Sequence, residues 1–155
     1  MSIRIRRGRP EDASALARNN MALARETEGR ELGLARVRAG VKQALEPESG
    51  AQYYVAADGD THEVVGQLMV TREWSDWRDG EFWWIQSVYV DPAWRGRGVF
   101  RGLYEHVRRL AQGMPRVCGM RLYVERDNAT AQSIYRALGM EVTGYRLLEL
   151  EFERE

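Results

Sequence analysis

The stretch Phe82-Trp83-Trp84-Ile85-Gln86-Ser87-Val88-Tyr89-Val90-Asp91-Pro92-Ala93-Trp94-Arg95-Gly96-Arg97-Gly98-Val99-Phe100-Arg101 decides the reading of this 155-residue chain. Its first nine residues are almost continuously apolar and β-rich, as in a central strand covered on both faces. Asp91-Pro92 ends that strand, since proline has no N–H to give to a ladder. From Gly96 onward a helix is predicted, with Val99, Phe100, Leu103, Tyr104, Val107 and Leu110 forming an apolar stripe at helical spacing. A further strand over 117–124 completes a strand–helix–strand unit, expected to be a parallel crossover with its first loop at the carboxyl edge of the sheet, where ligands commonly bind.

Outward from this unit the pattern is regular. Ile3 and Ile5 alternate with charged residues as in a half-exposed strand, and Pro10-Glu11-Asp12 places proline and two acids where a first helical turn favours them. Leu16, Ala17, Met21 and Ala24 share one helical face, and Leu34, Val37, Val41 and Leu45 share a second, with a break near Glu26-Thr27-Glu28-Gly29. Strands are expected over 53–57 and 64–71, a hairpin turn at Asp79-Gly80, a helix over 128–138 closed by Gly139, and closing strand material over 142–152. The predicted architecture is α/β: one domain over residues 1–155, a mixed sheet of about six to seven strands flanked by about four helices.

Composition narrows the chemistry. Basic and acidic residues number 23 each, so no net charge drives nonspecific contact with nucleic acid or an acidic membrane, and any anion site must be local. Lys42 is the only lysine and lacks the glycines of a P-loop before it, which excludes that mode of nucleotide hydrolysis. Cys118 is the only cysteine, and His62 and His106 are the only histidines; no internal disulfide, Cys-x-x-Cys pair, thiolate zinc site or histidine cage follows, and no metal is expected. No apolar run approaches the roughly 20 residues of a membrane span, and the amino terminus has no signal-like core, so a cytoplasmic protein is expected.

Two constellations remain. Arg95, Arg97 and Arg101 crowd a helix amino terminus, where the macrodipole disfavours cations unless an anion binds, and Gly96 and Gly98 let the backbone fold tightly around a bound group. The plainer alternative is that these arginines are solvated or paired with acids such as Asp91. Asn128, Ala131, Tyr135 and Gly139 follow at spacings of three, four and four, which sets an amide and a phenol along one side of a helix. Here too a plainer reading exists: Asn128 as an ordinary helix-starting residue, and Tyr135 as core beside Ile134 and Leu138.

Together, Arg95-x-x-Gly98-x-Phe100 after Gln86-Ser87-Val88-Tyr89-Val90, then Asn128-x-x-Ala131-x-x-x-Tyr135-x-x-x-Gly139-Met140, resemble the GNAT superfamily of acetyl-CoA-dependent N-acetyltransferases. The resemblance covers essentially the whole chain; Phe100 departs from the small residue that usually ends the first motif. It implies that backbone groups of Val88, Tyr89 and Val90 meet the pantetheine arm of acetyl-CoA and that Arg95, Gly96, Arg97, Gly98, Val99, Phe100 and Arg101 enclose the pyrophosphate. Asn128 contacts the cofactor arm, and Tyr135 protonates the departing CoA thiolate.

The resemblance further implies direct attack of an amine on the thioester. Gln86 occupies the position of the usual basic glutamate and cannot accept the proton. Glu81, Glu125, Glu26 and Glu28 are the candidate bases, directly or through water, with Glu81 the assigned choice. Glu26, Glu28, Trp74, Trp84 and Gln86 are assigned to the acceptor side; the tryptophans there either receive a cation or simply pack the hairpin. The acceptor is expected to be a small primary amine or a peptide amine, with no nucleic-acid or membrane partner, and an exposed terminal strand permits a homodimer. Two rivals stand: a non-catalytic acyl-CoA-binding or sensor domain of the same fold, and a partner-binding domain built on an exposed tryptophan hairpin.

Overall fold

The computed structural model describes residues 2–154. It divides into two compact units, one ending at Tyr123 and one beginning at Val124. In the first unit, β1 (Ile3–Arg7), α1 (Ala13–Glu28), α2 (Leu34–Leu45), β2 (Ala51–Asp58), β3 (Val64–Ser75), β4 (Gly80–Val90), α3 (Val99–Gln112) and β5 (Val117–Leu122) follow in chain order. The second unit holds α4 (Ala129–Ala137). The five strands lie in the order β1-β2-β3-β4-β5. All neighbours are antiparallel except β4 and β5, which run parallel as the strand–helix–strand reading requires.

Side-chain alternation divides the core. Tyr53 and Val55 of β2 pack with Leu16 and Ala17 of α1 and Val41 of α2. The intervening Tyr54 meets His106 of α3 with ring centroids 5.7 Å apart, so α3 covers the opposite face of the sheet. Val99, Leu103, Tyr104, Val107 and Ala111 are the buried stripe of α3. Its first turn presses against β3: a Cβ on Gly66 would stand 2.6 Å from Val99 Cγ1, so this position must be glycine for the helix start to sit there.

Two expectations need correction. The sheet has five strands among the described residues, not six to seven, and residues 141–154 run without a regular strand. Leu148-Glu149-Leu150-Glu151-Phe152-Glu153 has a period of two, but alternation only marks which side chains could share a face; a strand also needs a neighbour for its backbone. The β3–β4 hairpin is also longer than its pattern: β3 continues through the exposed Arg72-Glu73-Trp74, and the turn narrows to Asp76–Asp79, with Asp79 at φ 47°. No described helix is long and apolar enough to cross a membrane, and no described group of three or more His, Cys, Asp or Glu could hold a metal.

The entry into α1 is pinned by a bidentate pair. Arg6 of β1 donates to both oxygens of Asp12 at 2.7 and 2.9 Å, and the Arg9 amide donates to Asp12 Oδ2 at 2.8 Å. Burial pushes the Asp12 carboxyl up, but the Arg6 and Arg9 hydrogen bonds outweigh it and hold the group below its ordinary value. A carboxylate lowered in the native state stabilises above its unfolded pKa and loses that contribution as pH falls through the native value. Asp12→Asn is therefore expected to cost about 2 kcal/mol at neutral pH. In urea titrations the gap between variant and parent should narrow below about pH 4; a gap independent of pH would remove the ion pair from this account.

Candidate active site

β4 is paired on both sides for only part of its length. It meets β3 from Gly80 to Val90, but pairs with β5 only over 81–85, ending at Ile85 opposite Leu122. From Gln86 to Val90 its second side has no strand neighbour among the described residues, leaving a wedge whose strand positions are free of ladder bonds, although side chains take the Ser87 and Val90 carbonyls. Backbone groups left without a bond are satisfied by a ligand or water or remain costly.

The wedge begins at an irregularity. Gln67 of β3 pairs with Tyr89, yet Met69 pairs with Gln86, so β4 carries an extra residue opposite β3. Within it Ser87 has φ 52°, a left-handed conformation that costs a non-glycine residue roughly 1–2 kcal/mol. Gln67, fully buried, donates through Nε2 to the Ser87 carbonyl at 3.0 Å and to Asn20 Oδ1 of α1 at 2.8 Å. Asn20 donates in turn to the Tyr53 hydroxyl at 3.0 Å. Burial, opposed by the Asn20 and Ser87 hydrogen bonds, raises the Tyr53 phenol above its ordinary value. Gln67 Oε1 is buried with no donor among the described residues, an omission that typically costs about 1–3 kcal/mol. None of these four residues was assigned a role in the site from sequence; the signal was a single glutamine inside Val64-Val65-Gly66-Gln67-Leu68-Met69-Val70.

Beyond Val90 the chain turns on Asp91, whose side chain accepts the Ala93 amide at 2.9 Å and is thereby committed to the turn rather than to the arginines. Gly96 (φ 76°) and Gly98 (φ 80°) bring the backbone round to α3, with Gly98 as its N-cap and no side-chain cap on the first amides. A cavity of about 170 Å³ lies here, lined by Val90, Trp94, Arg95 and Gly96 before the helix and by residues 98–101 at its start. Glycines at left-handed φ, uncapped helix amides and arginine side chains make a seat for a phosphate-type anion.

The arginines differ in what they touch. Arg95 Nε donates to the Val90 carbonyl at 2.9 Å, its NH2 group meets Glu26 Oε2 at 2.8 Å, and its guanidinium lies 5.4 Å from the Tyr89 ring centre. Tyr89 Oη also donates to Glu26, at 3.4 Å; burial first, and then the Glu26 charge, push that phenol up. Arg97 lies over Trp94 at 5.2 Å. Glu26 is thus brought to the cavity loop, as a partner of Arg95 and Tyr89.

The remaining assigned residues scatter. Glu81 sits at the first end of β4, seven residues before Val88 and so about 23 Å away along the strand; it accepts a 3.4 Å bond from Trp83 Nε1 and does not reach the wedge as a base. The hairpin fold itself carries it to the far end. Trp74 pairs across from Glu81 and is half exposed under the Arg116 guanidinium, while Trp84 stacks on Tyr123 at 4.5 Å and donates to Glu73 at 3.2 Å. Both tryptophans therefore pack or meet arginine on the hairpin. Gln86 lies at the wedge and donates to Thr71 Oγ1 at 2.6 Å. Glu28 is exposed at the end of α1.

In the second unit Asn128 is the N-cap of α4, its Oδ1 accepting the Ala131 amide at 3.0 Å, as its plainer reading holds. Tyr135 lies in the same helix, half buried, and burial raises its phenol above the ordinary value, so it carries its proton at neutral pH.

Residues 17–140 match the family model described as Acetyltransferase (GNAT) family. The chain belongs to that family. Among curated relatives, a mycothiol acetyltransferase of Mycolicibacterium gilvum is 32% identical over 96 residues, 59% of this chain and 30% of that protein. The peptidyl-lysine N-acetyltransferase YjaB of Salmonella typhimurium is 31% identical over 85 residues, 55% of this chain and 48% of that one. The chain thus spans less than half the length of either relative. The crystal structure of a possible acetyltransferase from Clostridium difficile 630 superposes with a TM-score of 0.90 at 40% identity, covering 99% of this chain and 100% of that one.

A Cβ added at Gly98 would meet nothing within 4 Å, so Gly98→Ala isolates the backbone cost of the left-handed cap in this GNAT loop. A loss of about 1 kcal/mol is expected in denaturant titration, with Gly98→Asn losing less, because asparagine tolerates this region better than alanine. Equal losses for Ala and Asn would mean that φ at this position is not what the glycine is for.

Proposed function

We propose that the chain is an acetyl-CoA-dependent N-acetyltransferase whose acceptor is a small primary amine or a peptide amine, and that residues 1–155 act as one catalytic domain. The observation that carries this reading is the β4 wedge, joined by the short loop over 91–98 to the start of α3. An extended amide-bearing arm and a pyrophosphate have complementary chemistry to those two features in that order, and the open Gly96 and Gly98 backbone leaves room for the group. Names of relatives such as mycothiol acetyltransferase and peptidyl-lysine N-acetyltransferase support transfer to an amine.

Acetyl-CoA, when bound, supplies an activated acyl carbon. Val88 and the Val90 amide hold the arm through backbone groups on the side that β5 leaves, while Tyr89 between them is paired to β3 and the Val90 carbonyl is held by Arg95. The amides at 98–101, aided by Arg97 and Arg101, hold the pyrophosphate, while the Arg95 side chain ties the loop to Glu26 and contributes its backbone. Asn128 orients the arm, and Tyr135 keeps a proton on its phenol oxygen and gives it to the departing thiolate.

Among the described residues of the first unit the proton of the attacking amine has no free side-chain acceptor at the wedge: Gln86 is an amide engaged with Thr71, and Glu26 is paired with Arg95. Water takes it, and the amine reacts in its neutral form. Accordingly, kcat/KM is expected to rise about tenfold per pH unit until it reaches the acceptor's own pKa. Acceptors of different basicity should move that bend, and a bend fixed in the carboxylate range for every acceptor would instead reveal a protein base.

The first measurement is a calorimetric titration with acetyl-CoA, for which micromolar affinity corresponds to about −8 kcal/mol. Turnover is then read with a panel of amines on parent and Tyr135→Phe proteins. That variant should lose about a hundredfold in kcat while binding acetyl-CoA within about twofold of the parent. Unchanged kcat removes Tyr135 from the mechanism, and binding without turnover for every amine favours the non-catalytic acyl-CoA-binding reading, to which the glutamine at position 86 already lends weight.

A further inference from the structure

The side chains of Tyr53, Asn20 and Gln67 and the Ser87 carbonyl form one hydrogen-bonded chain that crosses four elements, β2, α1, β3 and β4. It ends on the residue where β4 adopts its left-handed conformation, two residues past the last one paired with β5. A buried glutamine is costly on a strand where leucine or methionine would fit, and this one leaves its own Oε1 without a donor. What it does supply is an amide N–H to the Ser87 carbonyl from the neighbouring strand, which fixes the orientation of that peptide unit. The carbonyl belongs to the peptide between Ser87 and Val88, so its orientation sets where the Val88 amide and the rest of the wedge point.

From this juxtaposition we infer that Gln67 is a positioning residue for acyl transfer: it clamps the Ser87 peptide in its left-handed conformation and so aims the open backbone of β4 at the thioester. The role rests on the acetyltransferase reading above, because it assigns the wedge to the thioester arm. Asn20 acts one step further back by holding the Gln67 amide plane, with both of its own amide atoms engaged.

Gln67→Met tests the clamp. Methionine matches the glutamine in length, removes the N–H donor, and also removes the orphaned oxygen, which limits the loss of stability. Adding Ser87→Gly lets residue 87 take the left-handed conformation without a clamp. Gln67→Met is expected to lower kcat by about tenfold or more while the acetyl-CoA dissociation constant moves less than about threefold, and the Gln67→Met/Ser87→Gly protein should recover most of the rate.

Amide hydrogen exchange at Tyr89 and Asp91, which face β3 beside the irregularity, gives a readout independent of turnover, with exchange about tenfold faster in Gln67→Met and returned toward the parent in the double variant. A parent protein without turnover, but with this exchange pattern, would sink the catalytic reading and keep the clamp. If Gln67→Met does not fold, recovery of folding in the double variant carries the same meaning. Parent-like kcat and exchange in Gln67→Met, or a double variant as impaired as the single one, would overturn the inference.

Discussion

A central strand that loses one of its two neighbours halfway along is the constraint on which this protein is organised. A strand inside a sheet normally spends all its backbone donors and acceptors on pairing, and its interior has nothing left for a ligand. β4 pairs with β5 over 81–85 and then leaves it, while β3 keeps hold as far as Val90. The result is a row of backbone groups with no strand partner on one side and held by β3 on the other, through the irregularity at Ser87, within the sheet rather than on a surface loop. Parallel pairing of β4 and β5 requires a crossover, and the crossover helix α3 begins one short loop after the open row ends. Wedge and helix start are therefore two consequences of one topological step.

The conformational costs gather at the same place. Ser87, Gly96 and Gly98 are left-handed within a dozen residues, and the orphaned Gln67 oxygen lies beside the first of them. Elsewhere the first unit is conventional: a β2 covered by Leu16, Ala17 and Val41 on one face, and an α3 stripe whose every buried position is apolar. The Arg6–Asp12 pair fixes the entrance to α1, and α1 then brings Asn20 to Gln67 and Glu26 to Arg95. One helix thus touches the site at two points about 1.7 turns apart, first at the strand irregularity and then at the cavity loop.

Much of this was legible in the sequence because it depends on periodicity and punctuation. The continuous apolar run from Phe82 to Val90, Asp91-Pro92 and the two glycines placed β4, its end and the start of α3. The five strands of the sheet, the four helices and the parallel crossover followed from the same signals. The strand irregularity was not legible, because Ser87 carries no mark of a left-handed φ; only the partner strand's register reveals it. Tyr53, Asn20 and Gln67 lie far apart in sequence and meet only after α1 packs on the sheet. The period-two pattern at 148–153 had the opposite fault, since it reports side-chain alternation and is silent on backbone partners.

The arginines show why counting charge at a helix start overstates what each charge does there. Three guanidinium groups near one amino terminus suggest three contributions to an anion site, yet Arg95 is already occupied by Glu26, by the Val90 carbonyl and by the face of Tyr89. Its pair with Glu26 is exposed at both ends and of modest worth as stability. Its geometry matters more, because one side chain joins the last residue of β4, the cavity loop and the end of α1. Under the proposed function the attraction for the pyrophosphate comes chiefly from groups that cannot rotate away, the first amides of α3 after its Gly98 N-cap. Fixed dipoles of this kind need no rearrangement to meet a phosphate, so the proposed pyrophosphate seat requires no net positive charge on the chain.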